Sequence, residues 1–324
     1  MPDPVRRYSD AEVASRLDWA ALIDALAAAF QRGGESPPRP HYDIGVAGEA
    51  NATLLLMPAW TQGHHIGLKT VTVFPGNAAR GAPSIAAQYL LFSARNGALI
   101  ALLEAGELTA RRTAAASALA ALYLSRKDAR RLLIVGTGRL SSNLALAHAT
   151  VRNFEEIAIW GRNPQKARGV ADHLRAQGLP ARPACDLEKE ARAADLISCC
   201  TLSCEPLIKG SWLKPGAHLD LVGAFTPLMA ETDDEALQRG TLFVDTRAGA
   251  CHEAGEIVQA IRRGAIKPDD IQASLCDLVS KAHPGRTHAA QITIFKSVGC
   301  SLEDLAAAEL CVARDSRPCA DEPA

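Results

Sequence analysis

Apolar positions in this chain follow two rhythms, and the change comes near Arg131. Upstream, Tyr8 to Phe30 carries Leu17, Ile23, Leu26 and Phe30 near helical spacing. Ser9 or Asp10 can cap that helix, Glu12 sits in its first turn, and Gly33-Gly34 stops it. Ala52–Pro58 and Ile66–Phe74 predict strands. In the second of these, alternation puts Leu68, Thr70, Thr72 and Phe74 on one face and Gly67, Lys69, Val71 and Val73 on the other. Lys69 therefore shares a face with apolar residues, where a lysine either snorkels at an edge or is held for an anionic ligand. Pro75-Gly76-Asn77 signals a turn, and Gln88–Ser93 with Ala98–Glu104 predicts a hairpin around Asn96-Gly97. Residues up to about 105 thus read as a mixed, antiparallel α+β region. Leu108–Leu124 is rich in alanine and lacks Gly and Pro, which predicts a helix. With Thr109 as its cap, Arg112 and Thr113 fall in the first turn, where a cation opposes the macrodipole unless an anion is expected there.

From Arg131 onward, strands alternate with helices. Arg131–Val135, Ile157–Trp160, Ala194–Cys200, Ala217–Gly223 and Thr241–Asp245 read as strands, and Pro164–Gln177 and Asp233–Arg239 as helices between them. Helical pattern resumes at Ala254–Ile261 and Ser301–Cys311, and the polar tail from Arg314 is expected to fray. This alternation predicts a doubly wound parallel sheet of the Rossmann kind.

The stretch Arg131 to Asn143 carries the strongest chemical signal. An apolar strand runs into Gly136-Thr137-Gly138-Arg139-Leu140-Ser141, and a helix-like segment follows. Gly136 permits the tight turn, Gly138 lets a pyrophosphate approach the backbone, and the helix start offers unpaired N–H groups. Ser141 takes the third glycine position, small enough for helix–strand packing. The end of the next strand distinguishes NAD from NADP. An NAD site keeps a carboxylate there for the ribose hydroxyls. Here Trp160-Gly161-Arg162-Asn163-Pro164-Gln165-Lys166 has none and has two cations instead. Arg162 can pair with a 2′-phosphate and Lys166 adds a second charge, so NADP(H) is expected, with NAD(H) the weaker alternative.

Length and charge narrow the partners. The 324 residues suggest two domains, and 48% hydrophobic with 22% charged residues is a globular composition. A net charge of −1 gives no electrostatic reason to expect nucleic acid or an anionic membrane. No apolar run approaches a membrane span, and with Asp3, Arg6 and Arg7 close together and no apolar stretch beside them no signal peptide is expected. The nine cysteines lack metal-ligand spacing, so reduced thiols, a cytoplasmic location and no metal site are expected.

Several motifs occur in a fixed order: Gly67-Leu68-Lys69-Thr70-Val71, Leu108-Thr109-Ala110-Arg111-Arg112-Thr113-Ala114-Ala115, the Gly136 turn, Glu253-Ala254-Gly255-Glu256, and Ile292-Thr293-Ile294-Phe295-Lys296-Ser297-Val298-Gly299. Together they resemble the ornithine cyclodeaminase/μ-crystallin family over nearly the whole chain. The resemblance implies a substrate-binding and dimerisation domain at residues 1–113 and 296–324, with an NADP-binding Rossmann domain inserted at 114–295. It also implies a homodimer. By the same resemblance, Lys69 and Arg112 hold the substrate carboxylate near the nicotinamide, and Arg39, in the stiff Pro37-Pro38-Arg39-Pro40 run, is a third cation. Lys69 is the expected catalytic residue. Coenzyme contacts are implied for Gly136 to Leu140, Thr201, Val222, Gly223 and Ala224. Ser84, Arg112, Thr113, Ser297 and Val298 match positions at the nicotinamide end.

One departure is informative. Cyclodeaminases of the family keep an Asp base in the loop after the fifth strand, and here Phe225 occupies that place in Val222-Gly223-Ala224-Phe225-Thr226-Pro227. Without that carboxylate a lyase lacks its general base. The loop resembles that of the family's cyclic-ketimine reductases, which implies reduction of Δ1-pyrroline-2-carboxylate to proline and of Δ1-piperideine-2-carboxylate to pipecolate. An ornithine cyclodeaminase or NAD(P)-dependent amino-acid dehydrogenase is the alternative, and a μ-crystallin-like ligand-binding protein a second one.

Overall fold

The computed structural model describes residues 5–313, so the polar tail from Arg314 lies outside the described residues. The chain forms two compact units. One runs to Arg112 and resumes at Cys300, and the other spans Thr113–Gly299. Thr113 and residues 296–299 therefore belong to the second unit.

The first unit contains β1 (Arg6–Tyr8), α1 (Asp10–Arg16), α2 (Trp19–Arg32), β2 (His41–Ile44), β3 (Ala52–Trp60), β4 (His65–Val73), β5 (Ile85–Ser93), β6 (Leu99–Glu104), the start of α3 (Ala105–Leu124) and the closing helix α11 (Ser301–Ala313). Its six strands form one sheet in the order β1-β6-β5-β4-β3-β2. The pairings are antiparallel except β1 on β6, which is parallel and departs from the expected all-antiparallel arrangement. Helix α11 packs on α2 and across β3, β4 and β5. On that face Met57, Lys69 and Tyr89 stand in register across three strands, all buried. The alternation expected for β4 holds.

Three local readings are corrected. The helix expected over Tyr8–Phe30 is two helices. Tyr8 ends β1, Leu17 leaves the helical region, and Asp18 caps α2 by accepting from the Ala21 N–H at 3.1 Å. The stretch read as a turn at Pro75 is a 3-10 helix over Pro75–Arg80. Helix α3 starts at Ala105, so Arg112 lies two turns inside it and the unfavourable N-terminal cation does not exist. Its cap comes from 97 residues away, where Asp10 Oδ1 accepts from the Glu107 N–H at 2.6 Å.

The second unit holds the remainder of α3 and a sheet of eight parallel strands: β7 (Arg131–Val135), β8 (Glu156–Trp160), β9 (Ala181–Ala184), β10 (Leu196–Cys199), β11 (His218–Leu221), β12 (Thr241–Val244), β13 (Ile271–Ser274) and β14 (Thr293–Lys296). The helices α4 (Arg139–Val151), α5 (Pro164–Ala176), α6 (Leu187–Ala193), α7 (Asp234–Arg239), α8 (Arg247–Glu253), α9 (Gly255–Arg263) and α10 (Leu275–Val279) connect them. The order is β13-β12-β14-β11-β10-β7-β8-β9. Winding reverses between β7 and β10, which makes the ends of these two strands the switch point where such sheets bind ligands. The core is aliphatic, with Leu133, Val135, Ile197, Leu219, Val244 and Ile294 at most 1% exposed.

A buried polar knot fastens two helices to the middle of this sheet. Asp220 on β11 accepts from Ser117 of α3 at 2.9 Å and from Ser198 of β10 at 2.6 Å, and faces Nε2 of His148 on α4 at 3.3 Å. Burial raises the Asp220 carboxyl, but the hydrogen bond and charge of His148 outweigh it and hold the group below the usual carboxylate range. All four residues are fully buried, so this serine–histidine–carboxylate meeting is a staple and not a nucleophilic site. Asp220→Ala strands three buried donors, and the expected cost is about 3 kcal/mol. A urea titration checks it, and a midpoint equal to wild type would contradict the staple.

Candidate functional site

In the second unit, a cleft of about 470 Å³ opens at the switch point. Gly136, Thr137, Gly138, Trp160, Gly161, Arg162, Asn163, Lys166 and Thr201 line it, together with Cys200, Leu202, Ser203 and Leu207. Gly136 has φ +131°, and a Cβ there would lie 2.8 Å from Cys200 Sγ and 2.9 Å from its carbonyl oxygen. Only glycine fits this turn. Gly138 is the N-cap of α4 and provides no side-chain cap, and nothing lies within 4 Å of where its Cβ would be. A thirteen-residue helix thus begins at the glycine turn with no side-chain cap, the kind of helix start whose partial positive charge favours an anion. Ser141 is fully buried, its Oγ 3.6 Å from Cys200 Sγ.

At the end of β8, Arg162 and Lys166 are exposed, and no carboxylate among the described residues pairs with either. Asn163 caps α5, accepting from the Lys166 N–H at 3.0 Å. Farther along the sheet, Val222, Gly223 and Ala224 follow β11, and Ser297 and Val298 follow β14. Asp245 Oδ2 accepts from the N–H groups of Val298 and Gly299, at 2.8 and 2.7 Å, and so fixes that last loop. Ser297 is 2% exposed and its hydroxyl has no partner among the described residues, as a group kept for a ligand would be. Phe225 stands 44% exposed in the loop after β11.

In the first unit, the expected cations come together in a buried quartet. Lys69 Nζ lies 2.7 Å from Asp304 Oδ2. Arg112 donates to Asp304 Oδ1 at 2.8 Å and to Glu303 at 2.7 Å. Lys69 and Arg112 are 2% and 4% exposed, the two carboxylates no more than 1%. Burial pushes the Lys69 ammonium down to about 8 from its ordinary 10.5, against the pull of Asp304 and with the push of Arg112 and Arg39. Burial also opposes the charge on Arg112, but Asp304 and Glu303 outweigh it and raise its pKa, so the guanidinium stays protonated. Asp304 stays ionised: burial raises it, and the two cations more than reverse that. Arg39, half-buried in its proline-rich run, is near enough for its charge to act on Lys69. Ser84 immediately precedes β5, and its carbonyl accepts from the Phe74 N–H at 2.8 Å, closing the intervening loop. Arg112 ends the first unit and Thr113 begins the second, consecutive residues of α3.

A glycine turn with a positive φ, an uncapped helix start and an all-parallel doubly wound sheet define a Rossmann-type nucleotide-binding protein. The chain belongs to the ornithine cyclodeaminase/mu-crystallin family, whose model matches residues 5–316. It is 36% identical to the Δ1-pyrroline-2-carboxylate reductase of Paracoccus denitrificans over 299 residues, 92% of each chain. The solved Δ1-pyrroline-2-carboxylate reductase of Thermococcus litoralis, in complex with NADH and L-proline, superposes with a TM-score of 0.90 at 29% identity, covering 96% of this chain and 98% of that one. An archaeal alanine dehydrogenase dimer with bound NAD superposes with a TM-score of 0.88 at 27% identity, covering 96% and 97%.

Asp304 and Glu303 were not anticipated. They sit in the first turn of α11, where acidic residues suit the macrodipole, and that ordinary explanation hid their second use. The available signal was their place in a helix otherwise dominated by alanine and leucine. The quartet predicts an early-titrating lysine. In NMR of lysine ¹³Cε groups, one signal absent from Lys69→Arg should lose its proton near pH 8, ahead of the exposed lysines. Asp304→Asn should move it lower still, since the Asp304 charge favours the ammonium. A Lys69 signal that titrates with the rest would contradict the geometry.

Proposed function

We propose that the chain reduces cyclic ketimines bearing a carboxylate on the imine carbon, Δ1-pyrroline-2-carboxylate to L-proline and Δ1-piperideine-2-carboxylate to L-pipecolate, with NADPH preferred. It is an oxidoreductase acting on C=N. The observation that carries the reading is the Lys69–Arg112 pair, two buried cations sharing one carboxylate. The likeness to a reductase solved with NADH and L-proline supports it. The exposed, unpaired Arg162 and Lys166 at the adenosine end support the choice of NADPH.

The coenzyme, when bound, supplies the hydride. Arg112, always charged, takes the substrate carboxylate in bidentate fashion, and Arg39 adds attraction. A C=N carbon accepts hydride readily when its nitrogen is protonated. Lys69, with a pKa of about 8, gives up a proton easily near neutrality and can deliver it to the ring nitrogen. The quartet of two cations and two carboxylates is already neutral. A substrate that enters as the carboxylate anion takes the proton of its iminium from Lys69, and the total charge of the site does not change in that transfer. Phe225 at the place of the lyase base argues against cyclodeamination.

The test follows NADPH absorbance with each cyclic imine, with pyruvate plus ammonia or methylamine and with ornithine as controls. Wild type oxidises NADPH with the imines. Lys69→Ala lowers kcat/KM by about a hundredfold or more with coenzyme binding nearly unchanged. Arg162→Ala raises the KM for NADPH by about tenfold and leaves NADH alone. Turnover of only the open-chain pairs, or ammonia release from ornithine, would overturn the reading.

A homodimer is proposed as well, acting in the cytoplasm, where reduced thiols persist. The face of the first unit's sheet opposite Lys69 presents Leu54, Leu56, Leu68 and Phe92 half-exposed, with Trp60 and Ile66 each 37% exposed. A self-complementary apolar sheet face fits a second copy of the chain. Light scattering should give twice the 34.3 kDa monomer mass, and Ile66→Glu with Trp60→Asp should reduce it to one copy. A monomeric wild type would refute this.

A further inference from the structure

A second buried carboxylate, on the coenzyme side, has no role in the reading above. Glu231 precedes α7 and is fully buried. Its Oε1 accepts from the Thr201 N–H at 2.5 Å and from the Thr201 hydroxyl at 2.8 Å. Its Oε2 accepts from the Gly223 N–H at 2.7 Å. One carboxylate thus joins the loop after β10 to the loop after β11. The Glu231 carbonyl accepts from the N–H groups of Leu207 and Ile208, at 3.0 and 2.9 Å. Thr201 and Leu207 both line the cleft, and Glu231 does not.

We propose that Glu231 is a positioning residue for the coenzyme: it fastens Thr201, Gly223 and Leu207 into one wall and so holds the cleft in its binding shape. This rests on the coenzyme reading of the cleft, and not on which imine is reduced. A neutral side chain of the same size can accept from one loop through its single oxygen but meets the other with an amide donor. The wall then loses a charge-assisted bond and gains a donor facing a donor.

The surroundings make the staple sensitive to protonation. Lys296 of β14 and Glu256 of α9 form an ion pair at 2.9 Å, both at most 1% exposed, and their charges act on Glu231. Cys199 and Cys200, at the end of β10, also face its charge. Two carboxylates thus share one ammonium. Burial pushes Glu231 up to about 7, opposed by Lys296 and aided by Glu256. Ionised Glu231 accepts from both loops, so the fastened wall prevails above that pH and loosens as pH falls through it.

The experiment titrates nicotinamide fluorescence in full-length protein with NADH and NADPH. In Glu231→Gln, both dissociation constants should rise together by about tenfold, while circular dichroism and thermal unfolding show a folded protein. Arg162→Ala should weaken NADPH alone. Should Glu231→Gln fail to fold, wild type provides the second arm: its NADH dissociation constant should rise severalfold from pH 8 to pH 6. NADH is used because it lacks the 2′-phosphate, which titrates in that range. Unchanged coenzyme affinity in a folded Glu231→Gln, an effect on NADPH alone, or NADH affinity flat across that range would overturn the proposal. A wild type that binds coenzyme but ignores cyclic imines would end the imine reading and leave this one intact.

Discussion

The neutrality of a buried charge cluster governs the first unit. Lys69 and Arg112 arrive on a strand and a helix, and neither could be buried as an isolated ion, since desolvation costs several kcal/mol per charge. Asp304 and Glu303 remove that difficulty, and they come from a helix 191 and 192 residues away from Arg112 in the chain. The return of the C-terminal helix to the first sheet is therefore an electrostatic requirement as well as a packing one. Gly67, two residues before Lys69 on β4, makes room on the same face for Tyr89, whose hydroxyl would overlap a Cβ there, with Leu305 of α11 at 3.1 Å.

The second unit solves its problem with backbone instead of charge. The cleft at the switch point depends on a turn at Gly136 that no side-chain-bearing residue can adopt next to Cys200, and on a helix start with no side-chain cap. Three buried acids of this unit sit behind the cleft lining, whereas Arg162 and Lys166 are part of it. Asp220 ties α3 and α4 to the sheet, Asp245 holds the loop after β14, and Glu231 joins the loops after β10 and β11. Each is a buried acid accepting from several donors, which is how a carboxylate can rigidify a loop without touching a ligand.

Local pattern made much of this legible. The alternation in β4 placed Lys69 on the inner face, the Asn96-Gly97 pair marked the hairpin, and the glycine turn marked the switch point. What stayed hidden was non-local. The cap of α3 is Asp10, so the sequence around Thr109 could not show where the helix begins. Asp18 breaks the first helical stretch although the apolar spacing continues across it. The insertion of β14 between β11 and β12 is a non-local pairing, and a four-residue apolar strand carries no record of its neighbours. Glu231 and Asp304 looked like solvated acids, because burial of a carboxylate depends on donors brought from elsewhere in the chain.

The account turns on a substrate carboxylate meeting Lys69 and Arg112. The most direct measurement is a crystal structure of the protein with NADPH and L-proline bound. The account predicts the proline carboxylate within about 3 Å of the Arg112 guanidinium and the Lys69 ammonium. Proline bound elsewhere, with Lys69 and Arg112 engaged by Asp304 and Glu303 alone, would contradict it.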